Sequence, residues 1–357
     1  MIYSNAILEI YTKNLISNFK LLSKIAKNST PGATIKANAY GIGDKEIFKI
    51  LYKNGCRHFF LATLEEALSI RKISSRGTIY VLNGLENNNL EIFYKFNLVP
   101  ILNTISELKK FIESKIHKNK LKIGIHVDTG LNRLGIQIKE LKSIDTKKIN
   151  LFILISHLAS ANEIKNQYSK MQNKNFQSIF KYFKSIKYKS LSNSAGILHN
   201  KNFHYDLVRP GISLYGGHDN FSQNKLIIIK PVVKLKGKIL QIKTINKNKY
   251  IGYNQTFKTK RKTTIAVIGI GYADGVSRLL SNNGSVYFKN ECFKIIGRVS
   301  MDSITIDITK SKNKIKIGNY MELINEKNNI EKLAKKCGTI SNEILTSITK
   351  RVKRIYI

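Results

Sequence analysis

Two stretches carry residue types that can do chemistry together. In ATIKANAYGIG (33–43) a lysine, Lys36, lies inside a small, apolar, strand-like run and is followed by Asn, Tyr and two glycines. A lysine amine is costly to bury unless it is paired, used covalently or held neutral. The neutral amine is also the form that carbonyl chemistry needs. In RPGISLYGG (209–217) Pro210 and Gly211 make a tight turn directly after Arg209. A glycine there lets backbone N–H groups come close to an anion. NSAG (193–196) adds a second small turn, with the hydroxyl of Ser194. Each turn alone reads equally well as an ordinary tight loop. Joined with Lys36, the two suit an aldehyde-bearing phosphate cofactor, and pyridoxal phosphate has both groups. No H-E-x-x-H, paired-cysteine or phosphate-loop lysine motif is present, so no metal is expected. GIGYADG (269–275) has the wrong spacing for a dinucleotide loop.

These residues need elements to position them. Eight short apolar runs punctuate the first two-thirds of the chain: ATIKA (33–37), HFFLAT (58–63), TIYVLNG (78–84), LVPILN (98–103), KIGIHVDTG (122–130), LFILISHLAS (151–160), KSLSNSAG (189–196) and DLVRPGISLYG (206–216). Between them, segments such as GDKEIFKILYKNG and LEEALSIRKISS space apolar residues by three and four, as amphipathic helices do. Strands alternating with helices predict parallel β-α units, and eight units predict an α/β fold of the (β/α)8 barrel type. Lys36, Asp128, Arg133, His157, Asn193, Ser194 and Arg209 fall at or just after the C-terminal ends of these runs. Those ends share one face of a barrel, where active sites lie. After about residue 225, short alternating strands separated by Gly or Asn turns predict a mainly β domain over 226–357, after a barrel over 1–225. A late helix is expected through NIEKLAKKCG, stopped at Gly338.

Composition narrows the class. The chain has 357 residues, 42% hydrophobic, enough for two domains and a large core. No apolar run reaches the roughly 18 residues of a membrane span. The N-terminal residues lack the apolar core of a signal peptide, and the three cysteines form no C-x-x-C pair, which suits a reducing compartment. The expectation is a cytoplasmic protein without membrane attachment. The net charge of +38 is spread in short lysine-bearing segments and comes with no nucleic-acid-binding signature. A bias toward Lys, Asn and Ile accounts for it better than a specific nucleic-acid partner does.

Taken together, IKANAYGIG (35–43), HVDTGLNRLG (126–135), ISHLASANE (155–163), NSAG (193–196), LVRPGISLYGG (207–217), IGYNQTF (251–257), GIGYADG (269–275) and GRVSMDSITID (297–307) resemble the bacterial alanine racemase family, in order and in spacing, over essentially the whole chain. The resemblance implies a homodimeric pyridoxal-phosphate isomerase that interconverts L- and D-alanine by two bases and supplies D-alanine for peptidoglycan. It implies that Lys36 binds the cofactor covalently and is one base. Tyr253, from the other subunit, is the second. Tyr40, Ser194, Gly211 and Ile212 match groups that hold the phosphate, and Arg209 matches an arginine facing the pyridine nitrogen. Arg133 and the backbone of Met301 match contacts to the substrate carboxylate. His157 matches a residue supporting the network between Arg209 and a tyrosine, and Tyr272 and Asp302 match residues near the entrance and the interface. The chemistry agrees: inversion removes a proton from one face of Cα and returns one to the other, which two opposed bases do directly.

Two positions depart from the pattern. His126 stands where many members have a lysine that becomes carboxylated, and a histidine forms no such carbamate. Lys350 falls where some members have a tyrosine at the phosphate and the substrate gate. Substrate breadth therefore stays open: a racemase of serine, lysine or arginine on the same fold is the nearest alternative, and a non-racemising pyridoxal-phosphate protein is another. A related decarboxylase is disfavoured by Arg209, because a guanidinium does not give up its proton to the ring nitrogen.

Overall fold

The computed structural model describes residues 4–85, 90–114, 121–143, 146, 149–163, 165–218 and 227–357. The chain folds as two compact units. One is Ile16–Leu214 with His218–Ile229, and the other is Met1–Leu15 with Tyr215–Gly217 and Lys230–Ile357. The boundary expected at 225/226 lies outside the described residues. The N-terminal segment, expected to belong with the barrel, belongs to the second unit for a reason of pairing. Strand β1 (Ala6–Ile10) runs antiparallel to β11 (Val233–Ile245) and parallel to β19 (Lys353–Tyr356).

In the first unit the strands are β2 (Thr30–Thr34), β3 (His58–Leu61), β4 (Thr78–Val81), β5 (Leu98–Leu102), β6 (Gly124–Asp128), β7 (Ile136–Gln137), β8 (Asn150–Ile155), β9 (Ser185–Ser190) and β10 (Leu207–Val208). Among the described residues, eight of them form a parallel sheet in the order β10-β2-β3-β4-β5-β6-β8-β9, with β7 a short extra pairing on β6. Bonds from Asp206 N–H to the Lys189 carbonyl (3.1 Å) and from Arg209 N–H to the Ser192 carbonyl (2.9 Å) bring β9 and β10 together and nearly close the barrel. Helices intervene as the three- and four-residue spacing predicts, among them Asp44–Lys53 and Leu64–Arg71. Inside, Phe60, Tyr80, Val99, Ile101, Ile153, Ile155 and Leu207 form one buried cluster. Phe60 and Tyr80 stack at 4.4 Å, and the Tyr80 hydroxyl meets His58 Nδ1 at 2.7 Å, so its one polar end has a partner. Each such fully buried side chain contributes about 1.5–3 kcal/mol. This interior is a rigid floor on which strand ends are fixed.

The second unit is mainly β. Its further strands are β12 (Tyr250–Ile251), β13 (Phe257–Lys258), β14 (Thr263–Ile268), β15 (Ser285–Phe288), β16 (Glu291–Lys294), β17 (Ile304–Asp307) and β18 (Tyr320–Ile324). The long β11 is the spine: it pairs antiparallel with β1, β14 and β18. Along it Val233, Leu235, Gly237 and Ile239 are buried while Lys234, Lys236 and Lys238 are half-buried, the period of two that a one-faced strand requires. The expected late helix spans Ile330–Lys336, with Asn329 accepting from Lys332 N–H at its start and Gly338 at φ 61° beyond its end. Among the described residues, no helix is long and apolar enough to cross a membrane.

Candidate active site

Lys36 lies two residues past β2, and the backbone after it is unusual. Ala37, Asn38, Ala39 and Tyr40 all have φ between 50° and 56°, so four consecutive non-glycine residues wind one turn of left-handed helix. Such a conformation costs roughly 1–2 kcal/mol per residue. Bonds from Ala39 N–H to the Ile35 carbonyl (2.9 Å), from Gly41 N–H to Ala37 (2.8 Å) and from Gly43 N–H to Asn38 (2.9 Å) offset that cost. Gly41 and Gly43, at φ 86° and 109°, end the turn. The Lys36 side chain is half-buried. Burial lowers its pKa below the ordinary lysine value; Arg133 and Arg209 lower it further, and Glu66 opposes them. A larger share of neutral amine is the result.

Apart from the Glu66 carboxylate, the groups acting on it are cationic, and the first unit supplies them all. Arg209, directly after β10, is buried and donates to Ser190 Oγ (2.6 Å) and to the Ser156 carbonyl (2.5 Å). Burial lowers its pKa to about 10, which leaves the guanidinium protonated near neutral pH. His157 follows β8. Burial holds its ring well below the ordinary histidine value, with Arg209, His126, Arg133 and Lys36 acting in the same direction. Arg209's hydrogen bonds run to Ser190 and Ser156, and His157 feels the cluster only as neighbouring charge that keeps its ring neutral. Its own carbonyl accepts from Gln172 Nε2 at 3.0 Å.

His126 is buried in β6, and its Nδ1 meets Asn103 Oδ1 at 2.9 Å. Asn103 gives its amide hydrogens to the carbonyls of Leu82 and Ile101 (2.9 and 3.0 Å), so its Oδ1 is the acceptor and His126 Nδ1 carries the proton. Burial, then Arg209, pushes His126 down to about 4, with Asp128 opposing and Arg133 adding. Arg133 is exposed on the loop after β6. Asp128 Oδ1 shapes that loop by accepting from Gly130 and Asn132 N–H (2.9 and 3.1 Å), and Asn132 takes φ 57° just before the arginine.

A second feature of the same unit is a cradle. The Ser194 hydroxyl accepts from Gly211 N–H (2.9 Å) and Ser213 N–H (3.2 Å) and keeps its own hydrogen to donate. A Cβ at Gly211 would run into the Tyr40 hydroxyl, so the space there exists only because the residue is glycine. Ile212 opens the short 3-10 turn Ile212–Tyr215, where a first N–H has no partner within the turn. Burial pushes the Tyr40 phenol up to about 12, so it stays a donor.

The remaining predicted residues are in the second unit. Tyr253 sits at the tip of the β12–β13 hairpin and is 70% exposed. Gly252 (φ 76°), Asn254 (φ 57°) and Gln255 (φ 55°) shape the tip, and Ile251, Ile265 and Ile296 pack beneath it. Met301 is half exposed on a loop whose Ser300 and Met301 carbonyls accept from Tyr272 and Ala273 N–H, both at 3.0 Å. Gly271 permits that approach, since a Cβ there would strike both carbonyls. Arg351 bridges buried Asp274 (3.3 Å) and exposed Asp302 (2.8 Å). Lys350, beside it in sequence, is exposed.

Several residues around the site escaped the sequence reading: Glu66, Asn103, Gln172 and the left-handed turn itself. Glu66 was detectable, because T-L-E-E (63–66) before a helical run is a capping-box pattern.

Barrel, β unit and strand-end lysine among guanidinium groups define a class: a two-domain α/β-barrel protein with a half-buried lysine of lowered pKa at a strand end. The chain matches the family described as alanine racemase, N-terminal domain, over residues 10–219, and alanine racemase, C-terminal domain, over residues 232–356. It is 40% identical to alanine racemase of Rickettsia akari (strain Hartford), covering 98% of each chain. It is likewise 40% identical to that of Rickettsia canadensis (strain McKiel), covering 95% of this chain and 96% of the relative. Alanine racemase from Bartonella henselae, solved with covalently bound pyridoxal phosphate, superposes with a TM-score of 0.93 at 36% identity, covering 99% of this chain and all of that one. The alanine racemase of Clostridium difficile 630 gives 0.92 at 29% identity, over 100% of this chain and 97% of its own. The chain belongs to the alanine racemase family.

Proposed function

We propose that the protein interconverts L-alanine and D-alanine, with pyridoxal phosphate as cofactor and a second copy of the chain completing each site. The observation that carries this reading is the half-buried Lys36 amine, its pKa lowered, facing Arg133 and Arg209 on a family scaffold. The residues fit the cofactor: the space that a Cβ at Gly211 would fill lies beside the Tyr40 hydroxyl, with the Ser194 hydroxyl and the Ile212 N–H at hand for a phosphate. Pyridoxal phosphate supplies, when bound, an aldehyde for covalent attachment and a ring that takes up negative charge developing at the substrate Cα.

The chain's own residues do the rest. Lys36 would hold the cofactor covalently, and its amine would take or return the Cα proton on one face. Tyr253 of a second copy does so on the other face, and its exposure at a hairpin tip suits a group that works on another chain. Arg209, buried and protonated, would hold the pyridine end of the cofactor as a donor that keeps its proton, which would limit side reactions such as transamination. Arg133 binds the substrate carboxylate with its planar fork, aided by the Met301 backbone. His157 stays neutral and adds no positive charge beside Arg209. Three thiols without a disulfide suit a cytoplasmic site of action, where D-alanine is made for peptidoglycan.

The test is Cα deuterium uptake by L-alanine in heavy water, followed together with D-alanine on a chiral column, using protein loaded with pyridoxal phosphate. D-Alanine should appear and be lost in Lys36→Ala. No exchange with alanine, but exchange with serine, lysine or arginine, would replace the substrate. Exchange with none of them would overturn the reading.

A further inference from the structure

The barrel repeats one loop device, and one copy of it sits beside the lysine. After β3, Thr63 caps the helix Leu64–Arg71, and Glu66 Oε2 reaches back to accept from Ala62 N–H (2.8 Å) and Thr63 N–H (3.4 Å). After β5, Thr104 caps the helix Ile105–Glu113, and Glu107 Oε2 accepts from Asn103 N–H (2.6 Å) and Thr104 N–H (3.0 Å). A capping box requires no more than this. In both copies the other carboxylate oxygen crosses to the loop after the preceding strand. Glu107 Oε1 takes the Leu85 N–H beyond β4 (2.7 Å), and Glu66 Oε1 takes the Ala37 N–H beyond β2 (2.7 Å).

We propose that Glu66 is a positioning residue for Lys36: its carboxylate ties the first N–H of the left-handed turn to the end of β3, and so fixes both where the lysine points and the charge beside it. The proposal rests on the role of Lys36 given above. Ala37 is the residue after Lys36 and the first of the four with positive φ, and its N–H has its hydrogen bond outside the turn. Only a carboxylate offers two acceptor oxygens for two separate backbone segments; an amide offers one. Glu66 is also the anion that opposes burial, Arg133 and Arg209 at the lysine. Glu107 makes the same bonds at a loop that carries no lysine nucleophile, so it is an internal control.

The experiment uses the full-length chain with Glu66→Gln, Glu107→Gln and Glu66→Asp. Before pyridoxal phosphate is added, acetic anhydride labelling of Lys36 against pH, read by mass spectrometry, gives the titration midpoint of its amine. In the holoenzyme, kcat and KM are measured, with thermal melting as a reading of the fold. Both Gln variants should lower the melting temperature alike. Glu66→Gln should also move the labelling midpoint down and cut kcat about tenfold or more at little-changed KM, whereas Glu107→Gln leaves the midpoint in place. Glu66→Asp, which keeps the charge on a shorter arm, should bring the midpoint back toward wild type and leave kcat low. If Glu66→Gln matches Glu107→Gln in midpoint and kcat, Glu66 is structural and the proposal fails. Wild-type protein that makes no D-alanine would overturn the proposed function, while the labelling comparison would still decide the matter of Glu66.

Discussion

The two units hold their site residues in opposite ways. In the barrel, Arg209 and His126 are buried, and Arg209, His126 and Ser194 each have named hydrogen-bond partners around a closely packed interior. In the β unit, Tyr253 is 70% and Met301 52% exposed, on backbone turns with apolar packing beneath the Tyr253 hairpin. A buried charge cluster shifts pKa values and binds a cofactor, and its parts cannot be removed without strain. An exposed hairpin tip costs its own fold little and is free to serve a second copy of the chain. Under the proposed function, chemistry that depends on environment lies in the barrel, and chemistry that depends on reach lies in the β unit.

The contrast can be broken, largest effect first. Lys36→Ala should lower racemisation by about a thousandfold or more, since it removes both the attachment point and one base. Tyr253→Phe should lower it by about 10²–10⁴-fold with an unchanged melting temperature, because the hydroxyl is exposed; Cα exchange without inversion should persist. A loss of stability in Tyr253→Phe would contradict the division drawn here. Gly211→Ala pushes a methyl at the Tyr40 hydroxyl and should weaken pyridoxal phosphate binding by about 10–100-fold, seen by absorbance titration, a cost of about 1.4–2.8 kcal/mol. Arg133→Lys keeps the charge and loses the fork, so KM for alanine should rise about tenfold with a smaller change in kcat.

A last effect, on folding and not on catalysis, is on acid stability. His126 falls to about 4 in the folded chain through burial, below its ordinary value of 6.5. The unfolded state then binds the proton more readily. This contribution to stability is complete above pH 6.5 and is lost as pH falls toward 4. His58, also lowered to about 4 by burial, behaves alike. His126→Gln, whose amide can still donate to Asn103, should reduce the loss of stability between pH 6.5 and 4 by about 1–3 kcal/mol in urea unfolding. An identical pH slope in the variant would show that His126 titrates freely.

Much of the barrel half was legible because its signals are local. Lys36, Arg209 and the NSAG and RPGIS turns stand at strand ends, where the eight apolar runs led the reading. The boundaries were less so. ATIKA reads as a strand through the lysine, yet β2 spans Thr30–Thr34 and the left-handed turn begins at Ala37, directly after Lys36. KANAY has no glycine to announce positive φ; the turn is held by local backbone bonds and by the Glu66 carboxylate, which comes from tertiary structure. The N-terminal residues fall within the barrel bounds read from sequence, because pairing partners more than two hundred residues away leave no local mark. Asn103 fixes the His126 tautomer from a neighbouring strand, and no spacing rule connects the two.

Mixing inactive chains tests the proposal that two copies of the chain share each site. Lys36→Ala and Tyr253→Phe proteins, each inactive alone, are combined with pyridoxal phosphate, and subunit exchange is verified by mass spectrometry. Hybrid sites that keep both Lys36 and Tyr253 should restore racemisation to about a quarter of the wild-type rate, the share expected when one site of each mixed pair is intact and pairing is random. No recovery despite full exchange would mean that Lys36 and Tyr253 serve one chain's site or separate tasks, and the shared site would have to be given up.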